Sequence, residues 1–333
     1  MNLYEQQAKN RHRTWLIIGA FIALLLLLGI GFDTFFFNVA GGFVPVGSLA
    51  ALAIGSISAL VGYYSGDRAV LLSTGAQPIA DVAASANAAE KLKLRQLDNV
   101  VDEMAIAAGL PRPPVYLVPD PDPNAFATGR GPGHASIAVT RGLLDVLDRE
   151  ELQGVIAHEM SHIRNLDVRV MTIVAALVGG VALISDWAGR GMWWGGARRR
   201  DDDEREGSGL SGIVFFAVWL VAIILAPLLA QALAMMVSRR REYLADASGA
   251  ELTRNPIGLA HALEKIDAAV APTRSIGQGS AHLCIADPLG RQMNLREGFW
   301  PDLFASHPPM AARIAALRQM ALEGPREGSY QRP

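Results

Sequence analysis

Two long stretches near the start of the chain contain no charged residue, and they constrain the fold more than any other feature. The first is Trp15 to Phe32, and the second is Phe35 to Tyr64, with a core from Val44. A helix that crosses a bilayer needs about 20 apolar residues. The chain of 333 residues is 51% hydrophobic, with a mean hydropathy of +0.24, which favours a membrane protein. These stretches predict an N-terminal transmembrane hairpin.

Two later apolar segments can also enter a membrane. Val170 to Ser185 is short, whereas Leu210 to Val237 is long and contains Pro227. Together with the first hairpin they would give about four transmembrane helices. The alternative is that the second pair forms a buried or interfacial helical hairpin that does not cross the bilayer.

Basic residues beside the predicted spans indicate the topology, because they concentrate on the cytoplasmic side of membranes. That side would hold Lys9, Arg11, Arg13, Arg164, Arg169, Arg239, Arg240 and Arg241. The arginine-rich loop that contains Arg198 to Arg200 conflicts with this rule, so the depth of the second pair stays open. The first span lacks a cleavage site, which indicates a retained anchor. We expect the soluble segments to face the cytoplasm.

The sequence His-Glu-Met-Ser-His at residues 158–162 predicts a metal site. An α-helix turns once in about 3.6 residues, so His158 and His162 share one face. Such a pair binds zinc, and Glu159 between them can accept a proton from the attacking water in peptide hydrolysis. Asp148 is suited to cap this helix. The single cysteine, Cys284, excludes a multi-cysteine zinc site, so the ligands must be histidines and carboxylates.

A third ligand is expected after the last apolar segment, because a hairpin returns the chain to the same side of the membrane. Glu242 and Asp246 lie there, four residues apart and hence on one face of a helix. Glu242 is the candidate ligand, and Asp246 could hold the free ring nitrogen of a ligand histidine. From spacing alone, the alternative that both carboxylates pair with the neighbouring arginines is equally good.

Four motifs resemble the signatures of one protease family. They are His158 to Asn165, Asn124 to Gly129, Arg241 to Asp246 and Ser306 to Pro309. With the hydrophobic pairs before and between them, these motifs resemble the HtpX heat-shock membrane metalloproteases, which are relatives of the type I CAAX prenyl proteases. The resemblance covers nearly the whole chain.

The resemblance implies a zinc endopeptidase of the gluzincin kind, with one Zn²⁺ per chain. The ligand set would be His158, His162 and Glu242. Glu159 would be the general base. Asp246 would support a ligand histidine from behind, and Asn165, at the end of the first motif, would support the ligands in the same way.

The resemblance also assigns a role to residues Asn124, Ala125, Phe126, Ala127 and Thr128, which look like the edge strand beside the active-site helix. An edge strand can bind an extended peptide through backbone hydrogen bonds. A plain structural hairpin is the alternative for this segment.

His307 stands before two prolines and just ahead of a helix that is predicted to begin near Met310. Its side chain could enter the cleft and stabilise the oxyanion that forms when water attacks the carbonyl. The alternative is a histidine that caps or braces the helix.

The predicted fold class is an α+β membrane protein, with a mostly helical gluzincin-type metalloprotease domain, a small β-sheet and about four transmembrane helices. Residues 1–66 would form the N-terminal transmembrane hairpin and residues 170–237 the second, membrane-embedded hairpin. Residues 67–169, with the His-Glu-Met-Ser-His helix, and residues 238–333, with the third ligand, would form the two parts of the protease domain.

The predicted function is that of a membrane-bound, zinc-dependent endopeptidase that hydrolyses misfolded or damaged membrane proteins at the cytoplasmic face. By resemblance, this would be protein quality control and stress response in a bacterial inner membrane. The expected partners are the lipid bilayer and unfolded or membrane protein substrates, while the net charge of −2 argues against nucleic acid. A CAAX-type prenyl-protein endopeptidase and a catalytically silent membrane scaffold are the alternatives.

Overall fold

The computed structural model describes residues 3–36, 46–177, 239–269, 275–276, 283–286 and 308–323. The predicted fourth span, the arginine-rich loop and His307 lie outside these residues, as does the second half of the predicted third span. The two parts of the predicted protease domain are both represented.

Two long helices at the N terminus pack against each other, as the apolar stretches predict. Helix α1 is Leu3–Phe36 and helix α2 is Val46–Ser73. Within the described residues, one segment, Ser48–Ser73, is long and apolar enough to cross a membrane, with a mean hydropathy of 1.4. The first predicted span lies in the unbroken helix α1, and the total of four spans stays a prediction.

The small sheet has four strands in the order β1-β2-β4-β3. The strands are β1 Gln77–Pro78, β2 Val115–Val118, β3 Ala125–Gly129 and β4 Ala135–Thr140. Strands β2 and β4 are parallel, with Val115 opposite Ile137, whereas β3 and β4 form an antiparallel hairpin with Phe126 opposite Ala138. Strand β3 coincides with the predicted strand Asn124 to Thr128 to within one residue.

Eight further helices surround the sheet within the described residues. They are α3 Ile79–Ser85, α4 Ala88–Ala108, α5 Arg141–Val146, α6 Arg149–Arg164, α7 at residues 167–177, α8 Arg239–Thr253, α9 Pro256–Asp267 and α10 Met310–Glu323. The main core lies where α4, α6, α9 and the sheet meet, and Leu97, Ile137, Val155 and Leu259 are fully buried there. Helix α7 joins α1 and α2 in a separate apolar cluster that includes Ile18, Ala59 and Ile173.

Helix α6 carries the metal motif, and local chemistry fixes both of its ends. Asp148 caps it as predicted: its carboxylate accepts from the backbone amides of Glu150 and Glu151, and the Glu151 carboxylate accepts from the amide of Asp148. This reciprocal capping box satisfies amides that the helix itself leaves unpaired. At the other end, Leu166 has a φ of +60°, and the chain turns there into α7.

Two glycines allow helices to approach α6 closely. A Cβ atom on Gly154 would lie 2.9 Å from backbone atoms of Leu259 in α9, and one on Gly249 of α8 would lie 3.0 Å from the backbone nitrogen of His158. Side chains at these positions would separate the helices. The absence of a side chain at Gly249 thus lets α8 lie directly against the part of α6 that carries the metal motif.

Candidate metal centre

The structure brings His158, His162 and Glu242 together in a buried site. Helix geometry places the two histidines on one face of α6, and the close packing of α8 brings Glu242 to the same face. The Nε2 atoms of the two histidines are 3.2 Å apart. Glu242 Oε2 lies 3.7 Å from His158 Nε2, and Glu242 Oε1 lies 3.6 Å from His162 Nε2. Each side chain is at most 4% exposed.

The distances fit a tetrahedral metal ion. Bonds of about 2.0–2.1 Å to nitrogen and oxygen ligands imply ligand atoms roughly 3.3–3.4 Å apart. The three observed separations bracket this range, and one ligand atom from each residue lies within 4.8 Å of the others. The remaining tetrahedral position would be open to water or substrate, as catalytic sites of this type require.

The other ring nitrogens of both histidines face carboxylates. His158 Nδ1 lies 2.9 Å from Asp246 Oδ1, in a contact that is close but bent away from the N–H direction, and His162 Nδ1 lies 3.3 Å from Asp167 Oδ2. Because a carboxylate only accepts hydrogen bonds, a neutral ring at either position carries its proton on Nδ1 and leaves the Nε2 lone pair free for a metal ion. Glu242 supplies the third ligand atom that a metal ion needs.

The site shifts the pKa of His162 strongly. Burial lowers this pKa, but the hydrogen bond to Asp167 and the negative charges of Glu242, Asp167 and Glu159 raise it to about 9. The pKa of His158 is lowered, because burial outweighs its contact with Asp246. The carboxylates around the two histidines therefore favour positive charge at this site, which a divalent cation would supply.

Glu159 is buried beside the ligands, and its environment suits a base. Burial raises the pKa of its carboxyl to about 7, with opposing effects from the charges of His162 and Glu242. Neither oxygen makes a hydrogen bond of ordinary geometry to a described residue, although the backbone amide of Ala127 is near enough to lower the pKa. A buried carboxylate with so few partners is costly, and such a side chain is typical of sites that act on water or substrate.

Asp246 is held by Arg313, a residue that the sequence analysis does not identify. Arg313 is fully buried in α10, and its Nε and Nη2 donate to the two oxygens of Asp246 at 2.8 and 2.7 Å. Burial raises the pKa of Asp246, but the charge and hydrogen bonds of Arg313 and the contact with His158 lower it to about 2. Asp246 therefore stays ionised behind His158.

Asp167 supports His162, although Asn165 is the residue expected there. Asp167 is fully buried at the start of α7, and its Oδ1 accepts from Arg241 Nη1 at 3.3 Å. Asn165 is the C-cap residue of α6 and is also buried, but its side-chain Nδ2 finds no partner among the described residues. The structure thus places Asp167, and not Asn165, against a ligand ring. Asp167 lies five residues after His162, which is not the spacing of one helix face, so no local pattern indicates it.

Strand β3 lies at the end of the sheet beside α6, as predicted, but its outer edge is already in contact with the chain itself. Phe126 forms an antiparallel bridge with Cys284, and the backbone amide of Ile285 donates to the carbonyl of Ala125 at 2.9 Å. The Asn124 side chain donates to the carbonyl of Ala286 at 3.0 Å. All five residues of β3 are buried.

At its far end, β3 contacts α7. The backbone amide of Gly129 donates to the hydroxyl of Thr172 at 2.9 Å, and the hydroxyls of Thr128 and Thr172 are 3.1 Å apart. Within the described part of the chain, the middle of β3 at Ala127 is the position that faces Glu159. The expected strand addition is therefore confined to a short central stretch, unless residues 283–286 are displaced.

Comparison with known proteins agrees with this geometry. The family model of peptidase family M48 matches residues 91–321. A protein named protease HtpX homolog from Streptococcus gordonii is 43% identical over 318 residues, covering 96% of this chain and 100% of the relative. A protein of the same name from Caldanaerobacter subterraneus subsp. tengcongensis is 42% identical over 320 residues, covering 96% of this chain and 98% of the relative.

Among solved structures, Ste24p from S. mikatae aligns with a TM-score of 0.43 at 15% identity, covering 94% of this chain and 66% of that one. The family match spans most of the chain and includes α6, α8 and α10, which carry the ligands and their supporting residues. The chain belongs to peptidase family M48 and, within it, to the HtpX-like metalloproteases.

Proposed function

We propose that this protein is a membrane-bound, zinc-dependent endopeptidase that cleaves misfolded or damaged membrane proteins at the cytoplasmic face. The observation that supports it most directly is the convergence of His158, His162 and Glu242, whose ligand atoms lie within 4.8 Å of one another. Nitrogen and carboxylate ligands in a tetrahedral arrangement suit Zn²⁺ well. The buried Glu159 beside them supplies the base that hydrolysis requires.

The chain's own residues perform the remaining chemistry. A divalent cation held by the three ligands would supply Lewis acidity toward water and the scissile carbonyl. Glu159, with a pKa of about 7, takes the proton of the attacking water and later delivers it to the leaving amine. Asp246 and Asp167 keep the two imidazoles in the tautomer that binds the metal. His307 remains our candidate for stabilising the oxyanion.

The membrane location is supported by the apolar segment Ser48–Ser73 and by the contacts of α2 with strands β3 and β4. A helix that crosses the bilayer and touches the sheet next to the metal centre would hold the cleft near the membrane surface. The basic residues around the predicted spans favour the cytoplasmic side. Substrates would then be segments of membrane proteins that unfold close to the bilayer.

The test is metal analysis combined with proteolysis. The full chain, purified in detergent, is assayed for metal by elemental analysis and for hydrolysis of casein before and after chelation. We expect one zinc per chain, loss of hydrolysis on chelation, and recovery when Zn²⁺ is returned. Full activity of the metal-free protein would refute the proposal, and metal binding without any hydrolysis would favour a silent scaffold.

A second arm addresses the substrate class. Unmodified and prenylated versions of the same peptide are compared at equal concentration. Cleavage of the unmodified peptide at a comparable or higher kcat/KM is expected for a quality-control protease. Strict dependence on the prenyl group would instead support a CAAX-type prenyl-protein endopeptidase.

A further inference from the structure

A buried group of polar side chains connects the N-terminal helix to the metal centre. Asn10 lies in α1, five residues before the first predicted span, and is fully buried. Its Nδ2 donates to the backbone carbonyl of Asn165 at 2.8 Å and to Asp167 Oδ1 at 2.8 Å. Both partners are acceptors, so the NH₂ end of the amide, and not its oxygen, must face them.

Asp167 transmits this contact to a metal ligand. Its Oδ1 accepts hydrogen bonds from Asn10 Nδ2 at 2.8 Å and from Arg241 Nη1 at 3.3 Å. Its Oδ2 lies 3.3 Å from His162 Nδ1. The carboxylate is therefore fixed by side chains from α1 and α8 while it orients a ring of α6. The amide of Asn10 is the closer of the two donors on Oδ1.

Neighbouring contacts show that one face of α1 is seated against the corner between α6 and α7. Gln7 Nε2 donates to the backbone carbonyl of Arg164 at 2.8 Å. Thr14 is buried, and its hydroxyl donates to the carbonyl of Asn10 at 2.9 Å. Gln7, Asn10 and Thr14 follow the spacing of one helix face. Gln7 holds the corner through a backbone group, whereas Asn10 reaches the carboxylate behind His162.

We propose that Asn10 is a positioning residue of the metal centre, which fixes Asp167 against His162 and thereby makes metal affinity depend on one side chain of the N-terminal helix. The inference rests on the metal-dependent function proposed above. Anchoring of α1 alone would account for the bond to the Asn165 carbonyl. It gives no reason for the second bond, to the carboxylate that orients a ligand ring.

The expected size of the effect follows from the position of Asn10. Removing a group that directly orients a ligand costs about 10–100-fold in metal affinity. Asn10 acts one contact farther out, and Arg241 still holds Asp167 when Asn10 is truncated. We therefore expect Asn10→Ala to weaken zinc binding by about 5–10-fold, just below that range.

The experiment measures the zinc dissociation constant of the full chain in detergent by competition with a chromophoric chelator. Asn10→Ala is compared with wild type and with two controls. Gln7→Ala removes a bond at the same corner but leaves Asp167 held. Asn87→Ala removes the cap of α4, where Asn87 Oδ1 accepts from the backbone amide of Glu90 at 2.9 Å. Both controls should bind zinc within about twofold of wild type, because neither contacts the groups behind the ligands.

Two further variants separate positioning from general loss of structure. Asn10→Asp keeps the size but faces Asp167 with a second carboxylate, so it should weaken zinc binding more than Asn10→Ala. In an Asp167→Asn background, Asn10→Ala should have little further effect, because the two act through one path.

The inference would be overturned by Asn10→Ala binding zinc as wild type does, by equal weakening in Gln7→Ala, or by an undiminished effect in the Asp167→Asn background. If wild type itself bound no metal, the proposed function would fail together with this inference. Normal zinc binding by wild type and Asn10→Ala alike would refute the inference alone.

Discussion

The buried position of Glu159 is explained better by a role as catalytic base than by any contribution to the stability of the fold. Its carboxylate is buried, and neither oxygen has a hydrogen bond of ordinary geometry among the described residues. Glu159→Gln keeps the shape but removes the base, so it should retain the metal and lose about 10²–10⁴-fold in kcat. Elemental analysis and casein hydrolysis check both parts. The control is Glu150→Gln at the exposed start of the same helix, which should leave kcat unchanged. Normal turnover by zinc-loaded Glu159→Gln would disprove the role of Glu159 as base.

Arg313 offers a second test at this scale, because it is fully buried and pairs with Asp246 through both carboxylate oxygens. Arg313→Met would leave the carboxylate buried without its partner, which costs about 3–5 kcal/mol. Thermal and denaturant unfolding in detergent measure this loss. The matched control is Arg318→Met in the same helix: Arg318 is 57% exposed in its pair with Glu264, so its loss should cost under about 1 kcal/mol. Equal stability of the two variants would contradict the buried-pair argument.

The sequence predicts the ligands better than the residues behind them. His158 and His162 follow from helical spacing alone, and the structure brings the candidate third ligand, Glu242, to the same site. Arg313 lies 67 residues from Asp246 in sequence. No local sequence pattern indicates which distant basic residue pairs with a given carboxylate. Asp167 was missed for a different reason: the turn at Leu166 points the residue after it back at His162, which helical periodicity does not anticipate.

At the scale of elements, the site depends on how closely α8 lies against α6. Gly249→Ala would place a Cβ 3.0 Å from the backbone nitrogen of His158 and 3.2 Å from its Cα. Because helix backbone cannot yield as a side chain does, we expect α8 to shift, at a cost of about 1–3 kcal/mol. Glu242 would move with it, so zinc affinity should fall as well.

Denaturant unfolding and chelator competition measure these two effects of Gly249→Ala. The control is Gly133→Ala, where a Cβ would meet nothing within 4 Å; both its stability and its zinc affinity should match wild type. A Gly249→Ala protein with unchanged zinc affinity would show that α8 tolerates the extra methyl group.

The elements themselves were largely predictable, and their contacts were not. Asp148 and the helical spacing of His158 and His162 identify α6, and the uncharged apolar stretches identify the two N-terminal helices. Strand β3 has the predicted place next to α6, but sequence gives no sign that residues 283–286 lie along its outer edge. The two segments are about 160 residues apart in sequence. An exposed strand edge can pair with any extended segment, so the whole fold decides which segment lies there.

At the scale of the molecule, the metal centre joins two parts of the chain that are far apart in sequence. His158 and His162 precede the second apolar pair, and Glu242 follows it, so a bound ion links α6 to α8 across that insertion. Zinc at about 100 times its dissociation constant should stabilise the folded chain by about 2.7 kcal/mol, provided that the unfolded chain binds it weakly.

Thermal unfolding in detergent, with zinc or with chelator, measures this stabilisation. His158→Ala should show no zinc-dependent shift, because it lacks one of the three ligands. Glu159→Gln should show the same shift as wild type, because the base is not needed to hold the ion. A zinc-dependent shift that persists in His158→Ala would mean that the ion stabilises the chain from another site.

A shift in wild type that is lost in both His158→Ala and Glu242→Ala would show that the two parts of the chain hold the metal jointly, since each part then contributes a ligand that the other cannot replace.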